Sequence, residues 1–227
     1  YKRTENFSFN KMKPELKLSE KLFCLSINPV SGGFWMNASA TLGITLAGSV
    51  LVELMNKGII TLDNKLVHLL KPTVQSDVLH EFFMDPIRLH GKDRKIRTWI
   101  SWYHMRARKI RKLFIRELMH KNVLRVEERR FLFIPYDKVF LMDRALVENL
   151  RKELEDTLLG KTEANEESVI LAIMVAKTNL LRRILPDREQ RKTAAAFIKK
   201  LPETPVTKAV QEAIQLMHTA AYVAATS

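Results

Sequence analysis

HMRARKIRKLFIRELMHKNVL, residues 104–124, carries two patterns at once. Ile110, Leu113, Phe114 and Leu118 recur at the spacing of one helical face. Asn122, preceded by His120 and Lys121, supplies the stop expected at a helix C-terminus. The other side carries Arg108, Lys109, Arg111, Lys112 and Arg116. Arg108 and Arg111 are three residues apart, so their guanidinium groups leave the helix on neighbouring rows and can meet one anion. The stretch therefore predicts a helix that is half core and half basic claw of phosphate size.

The flanks extend the imbalance. Between Gly91 and Arg130 stand fourteen Lys or Arg against four Asp or Glu, in a chain whose net charge is +13. Solubility needs only scattered charge, so charge this concentrated points to an anionic partner. A solvated helix face is the plain alternative.

Composition bounds the rest. With 227 residues and 46% apolar content the chain can fill a sizeable core, and its few Gly (7) and Pro (8) favour helix. The single cysteine, Cys24, excludes an internal disulfide framework, fits a reducing compartment and reads as a small core residue among Leu22, Phe23 and Leu25. No apolar run reaches the 18 or so residues that span a bilayer, and the first residues lack the apolar stretch of a signal peptide. The expectation is a cytoplasmic protein that meets membranes from the side. Residues 1–17 read as a basic arm and 18–227 as one domain.

Along the chain, a short helix is expected over 18–27 with Ser19 as its cap, then a loop ending in Gly-Gly-Phe-Trp. A buried helix follows over 41–57, where Gly43 and Gly48 would let another helix come close, and Gly58 ends it. A hairpin over 59–70 turns at Asp63-Asn64. The unit then recurs: Glu53 to Ile59 and Glu117 to Val123 match at four of seven positions. A second hairpin over 123–135 is expected to turn near Glu127-Glu128. Further helices are expected over 75–88, 94–103, 143–159, 167–181, 187–201 and 206–225, the one at 167–181 central and buried. Trp99 and Trp102 read as core. The fold class is mostly α: a helical bundle with two small β-hairpins.

Signals for catalysis are weak. The six histidines include no pair at i and i+4, and Gly32-Gly33 is a lone turn signal without a phosphate loop around it. Glu153, Asp156, Glu166 and Glu167 read as helix-surface carboxylates. No enzyme activity, cofactor or metal is expected.

Several motifs, taken in order, resemble the Golgi phosphoprotein 3 family of phosphatidylinositol 4-phosphate-binding peripheral membrane proteins. They are Leu16-Lys17-Leu18-Ser19-Glu20 through Leu25, Phe34-Trp35 after a turn, and Gly48-Ser49-Val50-Leu51-Val52-Glu53-Leu54. Arg108-x-x-Arg111 ahead of Leu118-x-x-Lys121-x-Val123-Leu124 completes the set. The resemblance implies a buried helical bundle wrapped by amphipathic helices, with a protruding hairpin. It also implies a lipid phosphate held by Trp35, Arg108 and Arg111. Ala47 stands where the family has a further Arg, and Met36 separates Trp35 from Asn37, the mark of a divergent member. Lys109 and Lys112 would add a supporting basic surface for other anionic headgroups, at about 1 kcal/mol each.

Phe131, Leu132, Phe133 and Ile134 suit either a bilayer or a homo-oligomer contact, but a charged tip at Glu127–Arg130 would oppose deep insertion. The rival function is nucleic-acid binding by a winged-helix-like protein using the same basic helix. Against it, that helix offers no Asn, Gln or Ser among its outward residues to read base edges. A protein-interaction scaffold with an unknown partner remains a third possibility.

Overall fold

A computed structural model describes residues 14–71, 77–178 and 180–201, with 215 and 219. Helix α1 spans Leu18–Leu25 and α2 spans Met36–Asn56. Strands β1 (Ile60–Asp63) and β2 (Leu66–Leu69) follow, then α3 (Val78–His90), β3 (Arg94–Lys95), α4 (Ile96–His104) and α5 (Ala107–His120). The long strands β4 (Leu124–Phe131) and β5 (Ile134–Leu141) lead to α6 (Arg144–Leu158), α7 (Glu166–Lys177), α8 (Leu181–Ile184) and α9 (Arg188–Lys200). The fold is mostly α with two small antiparallel sheets, as the sequence predicts. Of the basic arm expected over 1–17, residues 1–13 lie outside the described residues, as does the helix expected over 206–225 apart from 215 and 219, which are helical.

Helices α2 and α7 form the interior. Leu42, Leu46, Val50 and Leu54 of α2 are fully buried, as is the run Ile170 to Val175 of α7 to within a few per cent. Such helices, apolar nearly all round, must be enclosed by others. The amphipathic α5 turns Ile110, Phe114 and Leu118 inward, and Phe114 stacks on Phe23 of α1 with ring centroids 5.2 Å apart. Gly43 of α2 sits so close to Ala107 of α5 that a Cβ there would collide with it, which is the close approach the glycine predicts. Cys24 is fully buried, and burial pushes its thiol pKa well up.

Several boundaries differ from the sequence expectation. Ser19 is no cap: Lys17 occupies that place, and the buried Ser19 N–H donates to Glu53 Oε1 at 2.6 Å. The second helix begins at Met36, five residues early. Its backbone cap is Trp35, so the Phe34-Trp35 motif is fixed directly to the helix start. β3 pairs Arg94 and Lys95 with Val67 and Leu66 and makes the first hairpin a three-stranded sheet. The 167–181 helix ends at Lys177, leaving α8 as a separate turn. Gly58 and Asn122 take φ of 61° and 56°, the left-handed stops that the repeat predicts.

The largest correction concerns the second hairpin. Its register pairs Glu127 with Lys138 and Glu128 with Asp137, so the carboxylates lie in the strand. The turn is Leu132-Phe133, with φ of 47° and 71° at the two positions, as a type I′ turn requires. Leu132 is 75% and Phe133 97% exposed. Val139 is buried and its partner Val126 packs on the core. The five residues of β4 beyond Val126 span roughly 16 Å along the strand at about 3.3 Å per residue.

A charged network ties the chain's entry to this core. His80 is fully buried, with Nε2 2.7 Å from Glu53 Oε2 and Nδ1 2.9 Å from Asp77 Oδ2. Burial alone would lower its pKa; the two carboxylates outweigh that and hold it above the ordinary histidine value. Asp77 in turn receives Lys17 Nζ at 2.7 Å, while Lys121 Nζ lies 2.7 Å from the buried Glu20. Glu53, His80 and Asp77 thus join α2 and α3, and Glu20 with Lys121 joins α1 to the end of α5.

Candidate functional site

The basic helix, like α2 and α8, starts without a side-chain cap. α3, α6, α7 and α9 each begin with an Asp or Asn whose side chain accepts a backbone N–H. α5 begins at Arg106 with no side-chain cap bond and no acid in its first turn. Its first two turns instead hold Arg108, Lys109, Arg111 and Lys112. These cations sit at the positive end of the helix dipole, where each costs a few tenths to about 1 kcal/mol. The same arrangement, uncapped N–H groups and cations of one sign, favours an anion.

The cations do not share one direction. Arg108 and Lys112 are exposed. Arg111 is half-buried, its guanidinium carbon 5.4 Å from the centre of the Phe34 ring, and burial lowers its pKa from the ordinary arginine value. Lys109 is exposed but leans toward α3, its Nζ 5.1 Å from the Phe82 ring centre. Arg106, at the cap, lies 3.5 Å over Trp102; Trp102 is only half-buried, whereas Trp99 is core.

Trp35 is half-buried, and its ring is covered by Arg183 of α8 at 4.2 Å, within cation–π range. Phe34 and Trp35, consecutive in the chain, therefore address different arginines. The motif straddles two basic groups, Arg111 on one side and Arg183 on the other. Ala47, where the family has Arg, is fully buried, so no cation enters from that position.

The loop before the motif is pinned to the second hairpin. Gly32 has φ +69°, and a Cβ there would come within 2.6 Å of the Phe140 ring. Gly33 N–H donates to Val139 O at 2.8 Å, and Asn28 Oδ1 accepts from Val30 and Ser31. Trp35 thereby stands beside the hairpin base, at the edge of a cleft of about 550 Å³ that Leu141, Arg144, Arg151 and Arg183 also line. Sequence reasoning missed Arg144, Arg151 and Arg183. The only signal for the last was the Arg182-Arg183 pair set between Leu181 and Ile184.

Among the described residues, no group of three or more His, Cys, Asp or Glu could hold a metal ion, and no helix is long and apolar enough to cross a membrane. No curated protein matches the chain. The family model described as Golgi phosphoprotein 3 (GPP34) matches residues 18–217, and its span takes in α1, the Phe34-Trp35 loop, the basic α5 and the second hairpin. The chain belongs to the Golgi phosphoprotein 3 family.

Proposed function

We propose that the protein is a non-enzymatic peripheral membrane protein that binds an anionic phospholipid headgroup, phosphatidylinositol 4-phosphate or a phosphate of that kind. The observation that carries this is the uncapped start of α5, with Arg108 exposed and Arg111 beside Phe34. Two arginines one turn apart can give charge-assisted bonds to a phosphate. Lys112 and the neighbouring Lys109 add attraction to a bilayer that carries other acidic lipids. Trp35 enters as a positioned neighbour, its ring covered by Arg183.

The second hairpin supports the same function. Its turn is apolar and exposed, so the charged tip that would oppose insertion is absent. Arg129 and Arg130 are exposed just below Leu132 and Phe133, an arrangement in which apolar side chains enter the interface while cations meet headgroups. The same tip suits contact with a second copy.

Vesicle co-flotation at physiological salt tests the proposal, with neutral vesicles, phosphatidylserine vesicles, and vesicles containing phosphatidylinositol 4-phosphate. The wild type should float best with the last, and a folded Arg108→Ala/Arg111→Ala variant should lose most of that binding. Flotation with acidic vesicles alone, unchanged in the variant, would place the contact elsewhere. No flotation with any vesicle overturns the proposal and leaves nucleic acid, whose affinity would fall linearly with log salt.

A further inference from the structure

The cleft beside Trp35 has a chemistry of its own. Its walls are aliphatic: Leu25, Ile27, Leu141 and Ile184 are at most 7% exposed, and Val147 completes them. Its volume, about 550 Å³, is that of a small-molecule site. Four charged groups reach it. Arg151 is tied to Glu148, whose Oε1 accepts from its Nη2 at 2.6 Å and its Nε at 3.0 Å, and Arg151 also donates to Ile184 O at 3.2 Å. That pair is internally neutral and pins α6 to α8. Arg144 and Arg183 remain as the positive charges of the mouth, both exposed, with Arg183 over Trp35.

An apolar interior closed by a cationic, aromatic mouth fits one kind of occupant. We propose that this cleft binds a single-chain amphiphile with an anionic head, its chain against Leu25, Ile27, Leu141, Val147 and Ile184 and its carboxylate or phosphate on Arg183 and Arg144. Simple anions would gain little from the apolar walls, and a neutral chain would leave the arginines unused. The cleft adjoins the lipid-headgroup site proposed above and shares Trp35 with it, but its arginines differ: Arg108 and Arg111 lie on α5, whereas the cleft is built from α1, its following loop, β5, α6 and α8. A fatty acid and a lysophospholipid share the required chemistry.

Calorimetric titration below the micelle concentration tests this, with saturated fatty acids of eight to fourteen carbons, a lysophosphatidic acid, the matching alcohols and inorganic phosphate. Affinity should rise roughly fourfold per methylene until the cleft is full, the value of about 0.8 kcal/mol per buried CH₂. The alcohols should bind at least tenfold more weakly than the acids, and phosphate alone should not bind. Tighter binding of the lysophosphatidic acid than of the fatty acid would assign a phosphate head; the reverse would assign a carboxylate.

Arg183→Gln, at an exposed position, should lower acid affinity about tenfold and leave the alcohols unchanged. Ala145→Phe, on the exposed face of α6 at the cleft, should abolish the dependence on chain length. Arg108→Ala/Arg111→Ala should change neither, which separates this site from the headgroup site whichever of them fails. No binding of a twelve-carbon acid, or binding indifferent to both Arg183→Gln and chain length, overturns the proposal.

Discussion

His80→Leu removes a buried group that lies between two carboxylates, those of Glu53 and Asp77. Glu53 is 9% exposed at its side chain and His80 not at all, so Glu53 would be left buried with the Ser19 N–H but without its imidazole partner. Removing one member of a buried pair costs about 3–5 kcal/mol. At roughly 2–4 °C per kcal/mol for a protein of this size, the melting temperature should fall by about 6–20 °C.

The loss should also depend on pH, with a sign that follows from the pKa directions. His80 is held above its ordinary 6.5, so its contribution is fully present below that pH and disappears as pH rises through the folded value. Asp77 is held well below its ordinary 3.8 by His80 and Lys17, which outweigh the effect of its burial; its contribution is present above 3.8 and is lost as pH falls. Lys57 Nζ, 3.3 Å from Nδ1, is a like charge, but Asp77 Oδ2 is nearer at 2.9 Å. The difference between wild type and variant should therefore be largest between about pH 4 and 6.5 and shrink in alkali. Urea unfolding at pH 5, 6.5, 8 and 9 reads both effects. A cost under about 1 kcal/mol, or one equal at all four values, would refute a charged, paired His80.

Three other sets of substitutions probe separate parts of the structure. Gly32→Ala and Gly33→Ala meet the same left-handed backbone, φ +69° and +72°, but only the first meets Phe140; Gly32→Ala should cost more by at least about 1 kcal/mol in thermal unfolding. Asn122→Gly should be neutral within a few tenths of a kcal/mol and Asn122→Ala should cost about 1 kcal/mol, because φ there is 56°. Leu132→Asp/Phe133→Asp should leave stability unchanged and weaken flotation on acidic vesicles at least tenfold, about 1.4 kcal/mol. That is a fraction of the roughly 1.5–3 kcal/mol each side chain gains on full burial.

Local signals in the sequence suffice where the chain itself supplies the physics. The apolar spacing of Ile110, Phe114 and Leu118 gave α5 its buried face, and Gly58 and Asn122 stop two helices because both tolerate positive φ. The second turn lies away from the expected Glu127-Glu128 for the opposite reason. Leu132 and Phe133 adopt positive φ without the Asn or Gly that usually announces it, while Glu127 and Glu128 imitate a polar turn inside a strand. β3 exists only through its pairing with β2, and two residues carry no periodicity of their own. The buried His80 network was illegible because Glu53 lies in an apolar run and its partner comes from another helix. For the candidate site, Arg108 and Arg111 were legible as a spacing on one helix. Arg183 over Trp35 joins distant segments and could not be.

The membrane contact itself can be measured at the hairpin tip. Cys24, the only cysteine, is fully buried, so a Leu132→Cys variant can be labelled selectively with an environment-sensitive fluorophore. On vesicles containing phosphatidylinositol 4-phosphate the label should shift to the blue and be quenched by shallow lipid-bound quenchers, with little change on neutral vesicles. Adding Arg108→Ala/Arg111→Ala should reduce the shift. An unshifted label in the presence of every vesicle, with the protein folded, would contradict membrane binding through this face.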